Sequence, residues 1–327
     1  MSVLNTPPQR VSVVIPVYRG AESLPGLIEE MVPLVAEQRT VRGIQFVLHE
    51  VLLVHDCGPD DSAETIERLG IEHSFVRPVW LSRNYGQHAA TMAGMASATG
   101  DWVATIDEDG QQDPRNIADL LDVAMTESLQ LVYAKPTNSP PHGLLRNFFS
   151  RTAKAIAGRL LDDARVGQFN SFRLIDGEIA RTLAAYSGNG VFLDVGLFWI
   201  TGRIGHAPLR LRREQGRPSG YSYFRLMGHF WNLILTTGTR PLRLITLLGL
   251  FSVLLSLGIS GYAIYTKLFS DVPVQGWTSL VIVVAFFSGA ILTALGIIAE
   301  YLAVTMSIAM GKPLYVVSTK PIRPPRS

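Results

Sequence analysis

The chain has 327 residues, of which 47% are hydrophobic and 17% charged, with a formal net charge of +2. That charge is too small to argue by itself for a nucleic-acid partner, and a single cysteine, Cys57, excludes an intramolecular disulfide or a cysteine-rich metal site. The mean hydropathy of +0.23 is high for a wholly soluble enzyme. The excess is uneven, because charges are dense before about Arg243 and scarce after it. Length allows one large domain or two smaller ones.

The first half alternates between strand and helix patterns. The opening residues, MSVLNTPPQR, lack the apolar core of a signal peptide, so the first folded segment is expected in the cytoplasm. Residues 11–16 (VSVVIP) form a short apolar run that predicts a buried strand. Residues 21–38 have helical spacing after the breaker Gly20. Residues 51–55 (VLLVH) predict a second strand ending at Asp56, and residues 76–81 a third. Residues 87–99 are rich in Ala and Met and predict a helix that stops at Gly100. Residues 102–106 predict a strand ending at Asp107. Residues 114–127 predict a helix with Pro114 in its first turn, and 131–133 another short strand. This rhythm predicts an α/β fold with a mainly parallel sheet covered by helices and with ligands at the carboxyl ends of the strands. No Gly-x-Gly-x-x-Gly follows the first strand, which argues against a dinucleotide-dependent dehydrogenase.

The second half differs. Residues 244–265 and 278–299 are each free of charged side chains. As helices, each would be roughly 33 Å long, enough for a hydrocarbon layer of about 30 Å. Tyr262, Tyr265, Trp277 and Tyr301 lie near their ends, where aromatic belts sit. Arg240 and Arg243 precede the first run, and Lys312, Lys320, Arg323 and Arg326 follow the second. The loop between them holds Lys267, balanced by Asp271. The positive-inside rule therefore predicts a hairpin anchor with both ends and the α/β domain in the cytoplasm. Residues 221–237 (YSYFRLMGHFWNLILTT) follow a run with Arg203, Arg210, Arg212, Arg213 and Arg217, and fit an amphipathic helix in the headgroup region. The arginines read either as phosphate contacts or as a solvated face. Residues 313–327 are rich in proline and basic residues and are expected to be poorly ordered.

Three segments carry candidate chemistry. In Thr105-Ile106-Asp107-Glu108-Asp109-Gly110-Gln111, two carboxylates two residues apart close a strand, with an amide at Gln111. Such hard oxygen ligands suit Mg²⁺ or Mn²⁺ held together with a diphosphate. The alternative is an ordinary acidic loop. The segment LSRNYGQHAA (81–90) can present Arg83 and Asn84 to a ligand or serve as a polar turn before a helix. In Asp56-Cys57-Gly58-Pro59-Asp60-Asp61-Ser62, Asp56 can accept from a nucleobase or ribose, or close a bland turn.

In their order, VSVVIPVYRGAESLPGLI, LSRNYGQHAATMAGMASATGDWVATIDEDGQQDP, RREQGRPSGYSYFRLM and TRPLRLITLLGL resemble glycosyltransferase family 2, with its GT-A fold. More narrowly, the chain resembles the polyprenyl-phosphate glycosyltransferases with a C-terminal two-span anchor. These include the undecaprenyl-phosphate aminoarabinose-precursor transferases and bactoprenol glucosyltransferases, with dolichol-phosphate mannose synthases more distant. The resemblance implies a Rossmann-like GT-A domain over residues 1–220, an amphipathic juxtamembrane segment over 221–241, transmembrane helices over 242–268 and 277–305, and a cytoplasmic tail over 306–327. It implies inverting transfer of a sugar from a UDP- or GDP-linked donor to a polyprenyl phosphate, at the cytoplasmic face of a plasma (inner) membrane. The expected partners are the nucleotide-sugar, the polyprenyl phosphate and the lipid bilayer, with homo-oligomer formation left open and no nucleic acid.

Residue by residue, the resemblance implies that Pro16, Tyr18, Glu22, Asp56 and Arg83 border the nucleotide-sugar. Asp107, Asp109 and Gln111 would hold Mg²⁺ or Mn²⁺ and the diphosphate, and Asp107, Asp109 and Gln168 would form the catalytic set. Arg146, Ser150 and Arg151 would grip the acceptor phosphate, and Arg213 and Ser219 would close over the donor phosphates. The chain departs from the family pattern at Cys57 and Pro59, which replace an Asp and a Ser, at Gln168, which replaces a carboxylate, and at Gly220, which replaces a Lys. A processive polysaccharide synthase is disfavoured, because none of the five tryptophans follows an Arg. The departures motivate one alternative: a catalytically degenerate membrane scaffold that binds nucleotide or prenyl phosphate for a partner flippase or transferase.

Overall fold

The computed structural model describes residues 7–137, 169–188, 192–210, 212 and 276–321, with isolated helical positions between 249 and 269. Nine strands among these residues form one mixed sheet. They are β1 (Gln9–Val17), β2 (Gln38–Arg39), β3 (Gln45–His55), β4 (Val76–Leu81), β5 (Trp102–Thr105), β6 (Leu131–Pro136), β7 (Arg173–Asp176), β8 (Ile204–Leu209) and β9 (Val317–Ser318). The order across the sheet is β8-β6-β7-β5-β1-β3-β4-β9, with β2 beside β3. Strands β1, β3, β4, β5, β6 and β8 run one way; β2, β7 and β9 oppose their neighbours.

The helices are α1 (Leu24–Met31), α2 (Ser62–Glu72), α3 (Gln87–Ser97), α4 (Ile117–Thr126), α5 (Gly177–Tyr186), α6 (Leu193–Ile200) and α7 (Trp277–Ala309). The apolar run of β1 is continuous because both faces of the sheet are covered. Val11, Val13, Ile15 and Val17 join a core with residues of α1, α2 and α4, while Val14 joins a second core with α3 and α5.

Two expectations need correction, and two elements were not anticipated. The helix predicted over 21–38 is shorter: α1 starts at Leu24 with Pro25 in its first turn and gives way to a 3₁₀ turn, Val32–Val35, followed by β2. Pro33 has no N–H to donate to Glu29, so the α-helical ladder stops there. Helix α2 was missed, although Ala63, Ile66 and Leu69 bury one face at a spacing of three residues. Strand β7 was also missed; it runs antiparallel to β5 and β6. Finally, part of the tail expected to be loose is structured: Val317–Ser318 pair antiparallel with Leu81 and Trp80 of β4. Pairing with an edge strand satisfies backbone groups that composition alone assigns to a loose tail.

Helix α7 has 33 residues, and its segment Phe286–Ala303 is long and apolar enough to cross a membrane. It covers the second predicted span. The juxtamembrane segment 221–241 lies outside the described residues, and the first span is described only at isolated helical positions.

Candidate active site

Strand order reverses across β1, with direction unchanged: β3 and β4 lie on one side of it and β5 on the other. Crevices at such switch points bind ligands in open α/β sheets. Four loops leave the carboxyl ends of these strands there, after Val17, His55, Leu81 and Thr105.

The loops are tied to one another by side chains. Asp56, 3% exposed, accepts from the backbone N–H of Tyr85 at 2.7 Å and of Gly86 at 2.8 Å. Burial pushes its carboxyl above the ordinary value, and these two hydrogen bonds oppose that shift. Cys57 adopts a left-handed φ of 50° and directs its Sγ to the Leu81 carbonyl at 3.1 Å. A Cβ on Gly58 would come within 1.6 Å of the Tyr18 carbonyl oxygen, so only glycine lets these two loops touch. Asp60 accepts from the Ala21 amide at 3.1 Å, and Ser62 from the Gly20 amide at 2.9 Å. Glu108 accepts from the amides of Tyr18 and Arg19.

Asp107 stands at the centre. Its Oδ1 accepts from Gln87 Nε2 at 2.7 Å, and its Oδ2 accepts from Gln112 Nε2 at 2.9 Å and from the Ser171 hydroxyl. Gln112 also accepts from the Asp107 amide at 2.9 Å, which fixes the turn. All three side-chain donors are neutral. Burial pushes the Asp107 carboxyl up, the Ser171 hydrogen bond pulls it down, and the neighbouring charge of Asp109 pushes it up again.

Beneath Asp107 runs a buried polar chain. Arg173 forms an ion pair with Asp194, and Tyr133 donates to the same carboxylate at 2.8 Å. Arg173 Nε donates to Thr105 Oγ1 at 3.1 Å, and the Thr105 hydroxyl donates to the Ser171 carbonyl. Antiparallel pairing of Thr105 with Arg173 brings these groups together. Breaking such a buried pair costs about 3–5 kcal/mol, so α6 and β7 are firmly tied to the strand that ends at Asp107.

The sequence-derived candidates divide into two groups. Tyr18, Asp56, Arg83, Asp107, Asp109 and Gln111 gather at the carboxyl edge of the sheet, with Pro16 half-buried in β1 opposite Val54 and Glu22 exposed just before α1. Arg83 is exposed, with its guanidinium 4.6 Å from the Tyr85 ring centre. Asp109 is exposed on a turn closed by Gly110 at φ 71°, and its Oδ1 accepts from the Gln111 amide at 3.0 Å. The Gln111 carbonyl accepts from the Arg212 amide at 3.0 Å. Gln168, Arg146, Ser150, Arg151, Arg213 and Ser219 lie outside the described residues.

Sequence reasoning gave no role to Gln87, Glu108, Gln112, Asp113 or Ser171, and it read Arg212 with the neighbouring arginines as a phosphate contact or part of a solvated face, not as a structural bridge. Arg212 bridges Asp113 and Glu30, each at 2.8 Å. Burial pushes the Asp113 carboxyl up, but Arg115 and Arg212 outweigh it and hold the group down at about 2. The acidic run DEDGQQD is thereby sorted: Glu108 and Asp113 hold structure, while Asp107 and Asp109 repel each other.

That repulsion, with only neutral donors on Asp107, fits a divalent cation. Among the described residues no three His, Cys, Asp or Glu side chains cluster as a metal site. A cation here would therefore take few protein ligands and complete its shell with phosphate oxygens and water, as Mg²⁺ does in phosphate-handling enzymes.

Comparisons with known proteins agree with this geometry. The sequence profile of Glycosyl transferase family 2 matches residues 12–182. The undecaprenyl-phosphate 4-deoxy-4-formamido-L-arabinose transferase of Sodalis glossinidius is 29% identical over 322 residues, covering 96% of this chain and 95% of that protein. An uncharacterized glycosyltransferase of Synechocystis is 27% identical over 310 residues, covering 94% of each. Glucosyl-3-phosphoglycerate synthase from Mycobacterium tuberculosis, crystallised with Mn²⁺, UDP and phosphoglyceric acid, superimposes with a TM-score of 0.51 at 18% identity over 71% of this chain and 78% of that one. That likeness shows the GT-A-like fold. With its profile matched over more than half its length, and with this fold, the chain belongs to glycosyltransferase family 2 and is a glycosyltransferase.

Proposed function

We propose that the enzyme transfers a sugar, with inversion, from a UDP- or GDP-linked donor to a polyprenyl phosphate at the cytoplasmic face of a membrane. The observation that carries this reading is the Asp107–Asp109 pair at the switch point, with Asp107 held only by neutral donors. Mg²⁺ or Mn²⁺ held by Asp107, Asp109 and Gln111 would neutralise charge on the departing nucleoside diphosphate. Tyr18 and the loops at Asp56 and Arg83 would border the donor, with Pro16 and Glu22 at the margin and Arg213 and Ser219 closing over its phosphates. Asp56 spends one lone pair of each oxygen on the loop backbone, which leaves acceptor capacity for a nucleobase or ribose.

The acceptor side rests on chemistry. A sugar hydroxyl needs a general base because its proton must leave. A phosphate monoester, with a second pKa near 6, is mostly dianionic at neutral pH and already nucleophilic. Gln168 in place of a carboxylate suits such an acceptor, since it can orient the phosphate without repelling it. Arg146, Ser150 and Arg151 would grip that phosphate. The arabinose transferase relative bears undecaprenyl phosphate in its name, which supports this acceptor class.

Membrane attachment by two spans, over 242–268 and 277–305, completes the reading. The docking of β9 on β4 supports it, since the C-terminal end of α7 and the catalytic sheet then share one side of the bilayer. The test is incubation of the purified protein with a prenyl phosphate, Mg²⁺ or Mn²⁺ and a panel of nucleotide-sugars. The expected product is a prenyl-phosphate sugar; nucleotide-sugar hydrolysis without any transfer to the lipid would overturn the proposal.

A further inference from the structure

The tail reaches the donor edge of the sheet. Helix α7 ends at Ala309, and the chain turns at Gly311, where φ is 63°. Leu314 and Tyr315 pack against the core that contains Val79 and Leu81. The Val316 carbonyl then accepts from the Ser82 amide at 2.9 Å, Val317 pairs with Leu81, and Ser318 pairs with Trp80. Ser82 begins the loop whose other end, Tyr85 and Gly86, is fixed by Asp56. Gln87, the next residue, donates to Asp107. The loop is therefore anchored at its start by the tail and at its end by the site.

Direction matters as much as contact. The tail meets β4 first at Ser82 and runs back toward Trp80, so it arrives from the strand end that carries Asp56 and Asp107. Residues 310–316 span at most about 25 Å when extended. The open edge of the site is thus held within that reach of the end of α7.

We propose that residues 310–318 form a strap that positions the 82–86 loop for donor binding and holds the site edge toward the membrane end of α7. The inference rests on the reading of α7 as a span and of the loop as a donor wall. In an antiparallel pair, hydrogen-bonded positions alternate, so the bond at Ser82 makes Trp80–Ser318 the next bonded pair. Ser318→Pro removes that amide donor.

The experiment uses the full chain in lipid nanodiscs. Ser318→Pro should speed amide exchange at 82–86 and raise the KM for nucleotide-sugar, each by roughly 3- to 10-fold, as expected for one lost hydrogen bond. The KM for prenyl phosphate should stay within about twofold. Val317→Gly should shift both quantities the same way to a smaller degree, and serves if the proline variant does not fold. Six Gly/Ser residues inserted after Lys312 keep β9, so loop exchange and donor KM should match the wild type while transfer to membrane-held prenyl phosphate falls. A short, water-soluble prenyl phosphate should restore that rate. Wild-type exchange at 82–86 in both strand variants overturns the positioning role, and undiminished transfer in the insertion variant overturns the tether. Exchange is read without substrate, so a wild type that transfers no sugar would sink the functional reading and leave the strap to stand or fall on its own result.

Discussion

Glu108 accepts hydrogen bonds from the backbone amides of Tyr18, at 2.9 Å, and Arg19, at 3.0 Å, and so joins the loop after β5 to the loop after β1. Three carboxylates in a row thus divide their work: Asp107 and Asp109 sit at the proposed metal, and the one between them fixes the neighbouring wall. Glu108→Ala should lower kcat/KM for the donor by roughly 5- to 30-fold, the equivalent of about 1–2 kcal/mol for charge-assisted hydrogen bonds at a partly solvated site. Gly20→Ala should act in the same direction, because its Cβ would lie 2.9 Å from Glu108 Oε2. Steady-state kinetics with varied nucleotide-sugar check both. A Glu108→Ala enzyme with unchanged donor kinetics would remove the loop from the site.

Asp109→Asn keeps the shape of an exposed side chain and removes one anionic ligand of the proposed metal. Turnover should become undetectable, while the melting temperature changes by no more than a degree or two. Mn²⁺ binding in the presence of nucleoside diphosphate, followed by electron paramagnetic resonance, should weaken in parallel. Full metal-dependent activity in this variant would mean that the cation binds elsewhere.

Glu50 offers a stability test far from the chemistry. It is 3% exposed and accepts from Ser12 Oγ, Thr99 N and Thr99 Oγ1, each at 2.7 Å, and it pairs with Arg77. Burial pushes its carboxyl up, but the bonds from Thr99, Ser12 and Arg77 outweigh burial and leave it below the ordinary range. A depressed folded-state value means that the unfolded chain takes up the proton first. The contribution is therefore complete above the unfolded carboxylate value, about 4.3, and is lost as pH falls from there through the folded value. Thermal melts between pH 7 and pH 3 should show a smaller acid loss for Glu50→Gln, together with a lower midpoint at pH 7. An identical acid slope in both proteins would contradict this assignment.

The sequence made the sheet legible where a strand is buried on both faces. The apolar run 11–16 lies inside β1, and 76–81 matches β4. It made the site legible where a strand ends in a carboxylate, at Asp56 and Asp107. It was silent on contacts that depend on long-range pairing. Ser171 reaches Asp107 only because β7 runs antiparallel beside β5, and nothing local in NSFRLI announces a strand in that direction. Tail docking is invisible for the same reason: a two-residue strand has no periodicity to read, and its partner lies more than 230 positions earlier. Helix α2 was readable in principle, but its charged outer face, with half-buried Glu64 and Glu67 and exposed Arg68, masked the spacing of Ala63, Ile66 and Leu69.

If lipid phosphate is the nucleophile, cations near the bilayer must grip it, and Arg146 and Arg151 are the candidates. Arg146→Ala should raise the requirement for prenyl phosphate by roughly tenfold to a hundredfold, and that for nucleotide-sugar far less, since hydrogen bonds to charged groups contribute about 1.5–3 kcal/mol. Gln168→Asp is the complementary variant. A new carboxylate should leave transfer unchanged or slow it by repelling the dianion. A large gain in rate would show instead that a base had been missing.

If α7 crosses a membrane, the strap constrains the topology. Because Ser318 pairs with Trp80, the chain would then have to return after that crossing to the side that holds the catalytic sheet. A single crossing by α7 cannot satisfy this unless an earlier crossing carries the chain outward, which is the place of the span predicted over 242–268. The short loop 266–276 then lies outside, and its lone Lys267, balanced by Asp271, agrees with the positive-inside rule. The sole native thiol is removed first with Cys57→Ala, and single cysteines are introduced by Ser270→Cys and Ser327→Cys. On intact cells, an impermeant maleimide should label the first variant and spare the second until the membrane is opened. Labelling of Ser327→Cys from outside, with Ser270→Cys protected, would invert the orientation and place the donor site away from the cytoplasmic nucleotide-sugar pool on which the proposed reaction depends.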